Sequence, residues 1–213
     1  MRRAGLAFLI LGSLLSCGTS SHKLDEAVLY EGPQFKLKVV RYYENLPFHF
    51  VGEVYRVQCS SAATADSRGH TTQDPGWVTL AAGAALGSKS AAELVERERS
   101  HLRRIDDVTL VWIGSGLLVS FDACAEIRRW YPWELPSELI DPAEKPPYCK
   151  PAGNVDCSKD DFLGDREARF DEILVEPVAG TVSFVVRSAA LKNGRGVRVT
   201  SADRGRTWTV EPL

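Results

Sequence analysis

Cysteine is the residue type whose chemistry this sequence constrains most. Five occur in 213 residues: Cys17, Cys59, Cys124, Cys149 and Cys157. What thiols do depends on the redox compartment, and the first residues of the chain bear on that. Arg2 and Arg3 precede an apolar run from Ala4 to Leu15 and the small residue Ser16, the pattern of a secretory signal peptide. The run is well short of the roughly 20 residues that a membrane-spanning helix needs. In an exported chain the four cysteines beyond Cys17 are expected as two disulfides. Several pairings are open. The favoured one closes Cys149–Cys157 as a short clip across Lys150-Pro151-Ala152-Gly153-Asn154, a turn-rich segment, and Cys59–Cys124 as a long staple between the ends of two strand-like runs. Zinc would call for a C-x-x-C or a nearby histidine pair, and the sequence has neither, so no metal site is expected.

Other chemistry is sparse. His22, His49, His70 and His101 are isolated, with no H-E-x-x-H, and His101 reads as a packed residue on a helix. Ser115 and Ser120 lack the glycines of a G-x-S-x-G nucleophile elbow. Asp156, Asp160, Asp161 and Asp165 are acidic neighbours without the ligand order of an EF-hand, so they read as a solvated loop. No catalytic residues, cofactor or enzymatic activity are expected. Without Arg2 and Arg3 the basic residues fall from 26 to 24 against 28 acidic ones, and no basic patch is present, which argues against nucleic acid. The best binding candidates are Trp130, Tyr131 and Trp133 in Trp130-Tyr131-Pro132-Trp133, because exposed Trp and Tyr are common interface anchors. The competing reading packs these rings on a sheet.

Three resemblances add to this. Leu14-Leu15-Ser16-Cys17 resembles the bacterial lipobox. That implies a Cys17 thiol carrying diacylglycerol at a new N-terminus, held at the membrane by its acyl chains. Gly18 after the cysteine, where an Asp commonly retains such proteins at the inner membrane, implies the outer membrane facing the periplasm. The expected division is a signal peptide at 1–16, a lipidated tether at 17–26 and a single domain at 27–213. Second, Ser201, Asp203, Gly205 and Trp208 fit S-x-D-x-G-x-x-W and resemble the Asp-box, a β-hairpin motif of sialidases and other β-propellers. Ser and Asp oxygens can bond turn amides, and Gly can take a positive φ. In that family the motif is structural, so the resemblance implies no glycosidase. Ser120-Phe121-Asp122-Ala123-Cys124 echoes it with cysteine where glycine belongs, and is not counted as a repeat. Third, the lipobox, the Val54–Cys59 run and the C-terminal box together are similar to the immunity lipoproteins of type VI secretion, which block lipase effectors in the periplasm. This implies a protein partner.

The elements that must position these residues are mostly strands. Ala27–Tyr30, Phe35–Tyr43, Phe48–Cys59, Trp77–Leu80, Asp107–Ile113, Gly116–Phe121, Ile173–Glu176, Thr181–Arg187, Gly196–Ser201 and Thr207–Glu211 carry β-type composition or alternation. Ser90-Ala91-Ala92-Glu93 fits a capping box opening a helix over 91–104. A Pro-rich excursion spans 131–165. The expected fold is β-rich α+β: an antiparallel sheet or sandwich, one flanking helix and a disulfide-clipped loop. The expected function is a non-enzymatic envelope lipoprotein that binds a protein. The alternatives are a glycan-binding or hydrolytic module and a structural assembly lipoprotein.

Overall fold

The computed structural model describes residues 20–45, 51–61, 76–85, 87–141, 168–192 and 196–213. Cys17, Cys149, Cys157 and the acidic loop 156–165 lie outside these residues. Among the described residues the fold is β-rich: three antiparallel sheets of four strands each, with one short helix. The first sheet is the meander β1 (Ser20–Glu31), β2 (Phe35–Asn45), β3 (Val51–Ser61) and β4 (Val78–Ala84). The second is β5 (Leu102–Arg104), β6 (Leu110–Ile113), β7 (Leu117–Ser120) and β8 (Arg128–Trp130). The third is β9 (Arg169–Glu176), β10 (Thr181–Arg187), β11 (Val197–Ser201) and β12 (Thr209–Pro212). β1 begins at Ser20, inside the segment expected as a tether.

Alternation gives the middle sheet two buried faces. Leu110, Trp112 and Leu118 join Leu37, Val39, Val57 and Cys59 of the first sheet in one apolar cluster. Val111, Leu117, Val119 and Trp130 join Val182, Phe184, Val197 and Val199 of the third sheet in another. A strand buried on both faces reads as a continuous apolar run, which is what Leu110–Ile113 and Leu117–Val119 show.

The three sheets repeat one register. Ser60, Ser120 and Ser201 pair with Lys36, Leu110 and Val182 on the second strands. The residue before each of these serines pairs with the first residue of the fourth strand: Cys59 with Val78, Val119 with Arg128, Thr200 with Thr209. The link from third to fourth strand is a tight turn in the second and third sheets. In the C-terminal turn Ser201 Oγ accepts from Gly205 N at 2.9 Å, and Asp203 Oδ1 accepts from Arg206 N and Thr207 N at 3.0 and 2.9 Å. In the earlier turn Ser120 Oγ accepts from Cys124 N at 2.9 Å, and Asp122 Oδ1 accepts from Glu126 N at 2.9 Å. Ala123 N bonds to Val108 O as Arg204 N bonds to Gly180 O. Ser120–Cys124 is therefore a second box turn and a repeat, which corrects its reading as a mere echo. Both turns hold two residues at positive φ: Ala123 and Cys124, then Arg204 and Gly205.

The helix α1 (Ala91–Glu98) packs Leu94 and Val95 against the first sheet. Ser90 Oγ accepts from Glu93 N, while Glu93 Oε2 accepts from Lys89 N at 2.8 Å. Asp25 anchors the helix start by accepting from Ala91 N at 2.9 Å, and pairs with the buried Arg41 at 2.8 Å. The helix is shorter than expected. A 3-10 turn at Arg99–His101 ends it, and Leu102–Arg104 form β5 instead of a last helical turn. Sheet pairing wins there: Leu102 lies opposite Trp112, and the His101 ring sits on Trp112 with Nδ1 bonded to Ile113 O. Of the two expected disulfides, Cys59–Cys124 is formed, with Cα atoms 6.2 Å apart, and it ties the first sheet to the second.

Candidate functional site

The site begins at the hairpin between β6 and β7. Gly114, Ser115 and Gly116 turn the chain, with Gly114 N bonded to Gly116 O at 2.9 Å. Gly116 has to be glycine for a reason outside the turn: a Cβ there would come within 2.4 Å of the Tyr131 ring and 2.6 Å of Trp130 O. The bare backbone thus seats Tyr131. Pro132 then starts a 3-10 turn over Pro132–Glu134, where the fixed proline φ suits the first position. Glu134 closes it, its carboxylate accepting from Tyr131 N at 2.9 Å. Burial raises the Glu134 carboxyl above its ordinary value, against the opposing pull of that amide. The turn lays Trp133 flat on Tyr131, with ring centroids 4.0 Å apart and planes at 11°.

Leu80, Ala81 and Ala82 of β4 form the facing wall, and Trp112 and Leu118 close the base. The cleft holds about 260 Å³. Small-molecule pockets usually measure about 300 Å³ or more. This one is sized for a single side chain or ring. Its described lining contains no carboxylate. Next to Leu80, the Thr79 carbonyl accepts from the Arg129 guanidinium at 2.9 Å.

The three aromatic candidates separate. Tyr131 and Trp133 line the cleft, and Trp133 is 36% exposed. Trp130 is 1% exposed and lies in the core between the second and third sheets, edge-on to Phe184 at 5.3 Å and Phe170 at 6.2 Å. Strand alternation sends adjacent residues to opposite faces, so Trp130 and Tyr131 were never able to share a site. Trp112, Leu80–Ala82 and the Gly114–Gly116 turn were not among the expected site residues, although Trp77–Leu80, Asp107–Ile113 and Gly116–Phe121 were expected as strands. The glycine pair around Ser115 was the available signal.

Ser201, Asp203, Gly205 and Trp208, the residues expected as an Asp-box, lie at a hydrogen-bonded turn. Trp208 stands edge-on to Phe184 at 5.7 Å. Asp203 is held at about 2 by the Thr207 hydroxyl and amide, then by Ser201 and Arg206 N. Among the described residues no cluster of His, Cys, Asp and Glu is arranged to hold a metal, and no helix is long and apolar enough to cross a membrane. No family model, curated protein or solved structure matches the chain.

Proposed function

We propose that this chain is a non-enzymatic lipoprotein of the bacterial envelope, anchored through acylated Cys17 at the outer membrane, which binds a protein partner in the periplasm. The observation that carries the reading is the Tyr131–Trp133 stack, half-open to solvent over a cleft sized for one side chain. Rigid aromatic anchors beside a small pocket are typical of protein-binding hot spots. The layered sheets form a sandwich-like scaffold that holds those rings on packed backbone rather than on a free loop. The partner class suggested by the resemblance to type VI immunity lipoproteins is a lipase effector acting in the periplasm.

Two measurements test this. The intact mass of the protein extracted from membranes should carry acyl chains on Cys17, and Cys17→Ser should release it to the soluble fraction. Co-expression should protect cells from a periplasm-directed lipase encoded beside the gene, and Trp133→Ala should weaken that protection. Full killing despite co-expression removes the immunity reading. A glycan-binding or hydrolytic module is the second reading, suggested by the same rings. Hydrolysis of that kind would call for a pair of carboxylates flanking the bond, and the described cleft lining supplies none.

A further inference from the structure

Among the described residues, the outer edge of β4 is the place on the fold left open for another strand. Six strands lie at sheet edges: β1 and β4, β5 and β8, β9 and β12. Folded proteins blunt such edges with charge, proline or bulges, because the unpaired N–H and C=O groups otherwise accept a further strand. Five of these edges are blunted: Lys23 lies on β1, Arg103 on β5, Arg128 on β8, Asp171 on β9 and Pro212 on β12. Val78–Ala84 has neither a charge nor a proline. Its single irregularity falls opposite Val57 and Gln58, so Ala81–Ala84 continue as regular strand beyond it. Among the described residues nothing pairs with its outer side except the Arg129 guanidinium at Thr79 O. The same strand forms one wall of the cleft.

We propose that β4 takes an extended segment of a partner protein as a fifth strand of the first sheet, with one apolar side chain of that segment in the cleft against Tyr131 and Trp133 and an acidic side chain at Arg129. Strand addition draws affinity from main-chain hydrogen bonds and specificity from pockets for alternate side chains. The cleft supplies such a pocket. The charge argument selects the partner's sign. Arg129 has no carboxylate partner among the described ion pairs, whereas Arg97, on α1, is neutralised by Glu98 at 3.0 Å. Thr79 and Ala81 flank the bulge at Leu80 and face the adjacent residues Gln58 and Val57 of β3. An acidic residue and an apolar residue within two positions of each other on the incoming segment therefore match Arg129 and the cleft beside it.

The proposal rests on the protein-binding reading above and is tested apart from it. The full chain, purified from membranes in mild detergent, is used to select from a displayed library of random linear peptides. Enriched sequences should pair an acidic residue with an apolar one within two positions. Binding of an enriched synthetic peptide should fall by roughly tenfold or more in Trp133→Ala, as for a hot-spot tryptophan. It should fall similarly in Ala82→Lys, which places on this edge a charge of the kind other edges carry. Selection on Arg129→Glu should return basic peptides in place of acidic ones. Ala82 is exposed, and circular dichroism with an intact Cys59–Cys124 bond establishes that each variant folds. Failure to enrich peptides, or binding indifferent to Ala82→Lys, overturns the strand-addition proposal. So does light scattering that shows self-association abolished by Ala82→Lys, since the edge would then serve a second copy. Lipase protection that persists in Ala82→Lys overturns it while leaving the protein-binding reading intact.

Discussion

Cys124 and Gly205 occupy the same position in successive sheets. Each is the fifth residue of a box turn, with φ of 68° and 79°. Each turn sits on the sheet before it: a Cβ on Gly205 would lie 3.2 Å from Val119 Cγ1, and Cys124 is bonded to Cys59. Val119 and Cys59 share one register position. One interface is thus built twice, once by van der Waals contact and once by a disulfide. Cys59→Val with Cys124→Gly should convert the first interface into the second. The cross-link closes a separation of 65 residues, and losing that constraint costs about 4 kcal/mol. Removing a side chain from a left-handed backbone position returns about 1 kcal/mol. A folded double variant, destabilised by about 3 kcal/mol in urea titration, is expected. A chain that fails to fold would show that the two interfaces are not interchangeable.

The serines of the two turns should behave alike. Ser120 and Ser201 are buried, and each hydroxyl accepts from the amide four residues on. Changing either to alanine strands that amide, a loss of about 1–3 kcal/mol. Urea unfolding of Ser120→Ala and Ser201→Ala should give losses that agree within about 0.5 kcal/mol. A large loss at Ser201 with none at Ser120 would mean the earlier turn is held by its disulfide alone.

The contrast between the two turns shows what was legible in the sequence. The C-terminal box could be read because the hydrogen bonds of Ser201 and Asp203 are local and every position of the motif carries the expected residue. Its counterpart could not, because the glycine gave way to a cysteine whose reason lies in another sheet. Alternation made β10 readable, and Val182, Phe184 and Val186 do face one core. β5 and β8 are three residues each and rich in arginine. No period can be read over three residues, and only pairing to β6 and β7 makes them strands. The helix start followed from Ser90 and Glu93, while its end was decided by Trp112 and Ile113, which are distant in sequence. In the candidate site Tyr131 and Trp133 were visible as aromatic residues. The wall they face belongs to β4, about fifty residues earlier, and no local pattern points there.

Acid should loosen the C-terminal turn before neutral pH stress does. Asp203 is lowered to about 2 from an ordinary 3.8, first by the Thr207 hydroxyl at 2.6 Å and the Thr207 amide. A carboxylate depressed in the folded state contributes stability that is complete above its unfolded value and lost as pH falls through its folded value. For Asp203 that window runs from about 4 down to about 2. Asp203→Asn should flatten the fall of urea stability across this window and lower stability at pH 7. Thr207→Val should narrow the window by raising the Asp203 value. A slope identical in Asp203→Asn and the parent would assign the acid sensitivity to other carboxylates.

Trp130, Tyr131 and Trp133 should divide into a core residue, a seat and an exposed anchor. Trp130 fills the cluster between the second and third sheets, where removing a buried tryptophan costs about 3–5 kcal/mol. Trp133 is stacked but partly exposed, so Trp133→Ala should cost under about 1 kcal/mol and keep the cooperative transition. Gly116→Ala tests the seat. Its methyl group meets the Tyr131 ring and the Trp130 carbonyl, and the carbonyl belongs to backbone that cannot turn aside. Tyr131 should be displaced, the stack on Trp133 lost, and the near-ultraviolet circular dichroism of the aromatic pair reduced toward that of Trp133→Ala. Partner binding should fall in Gly116→Ala and Trp133→Ala together, although only the former touches the hairpin. An unchanged aromatic spectrum in Gly116→Ala would mean that Tyr131 is seated by Pro132 and Glu134 alone.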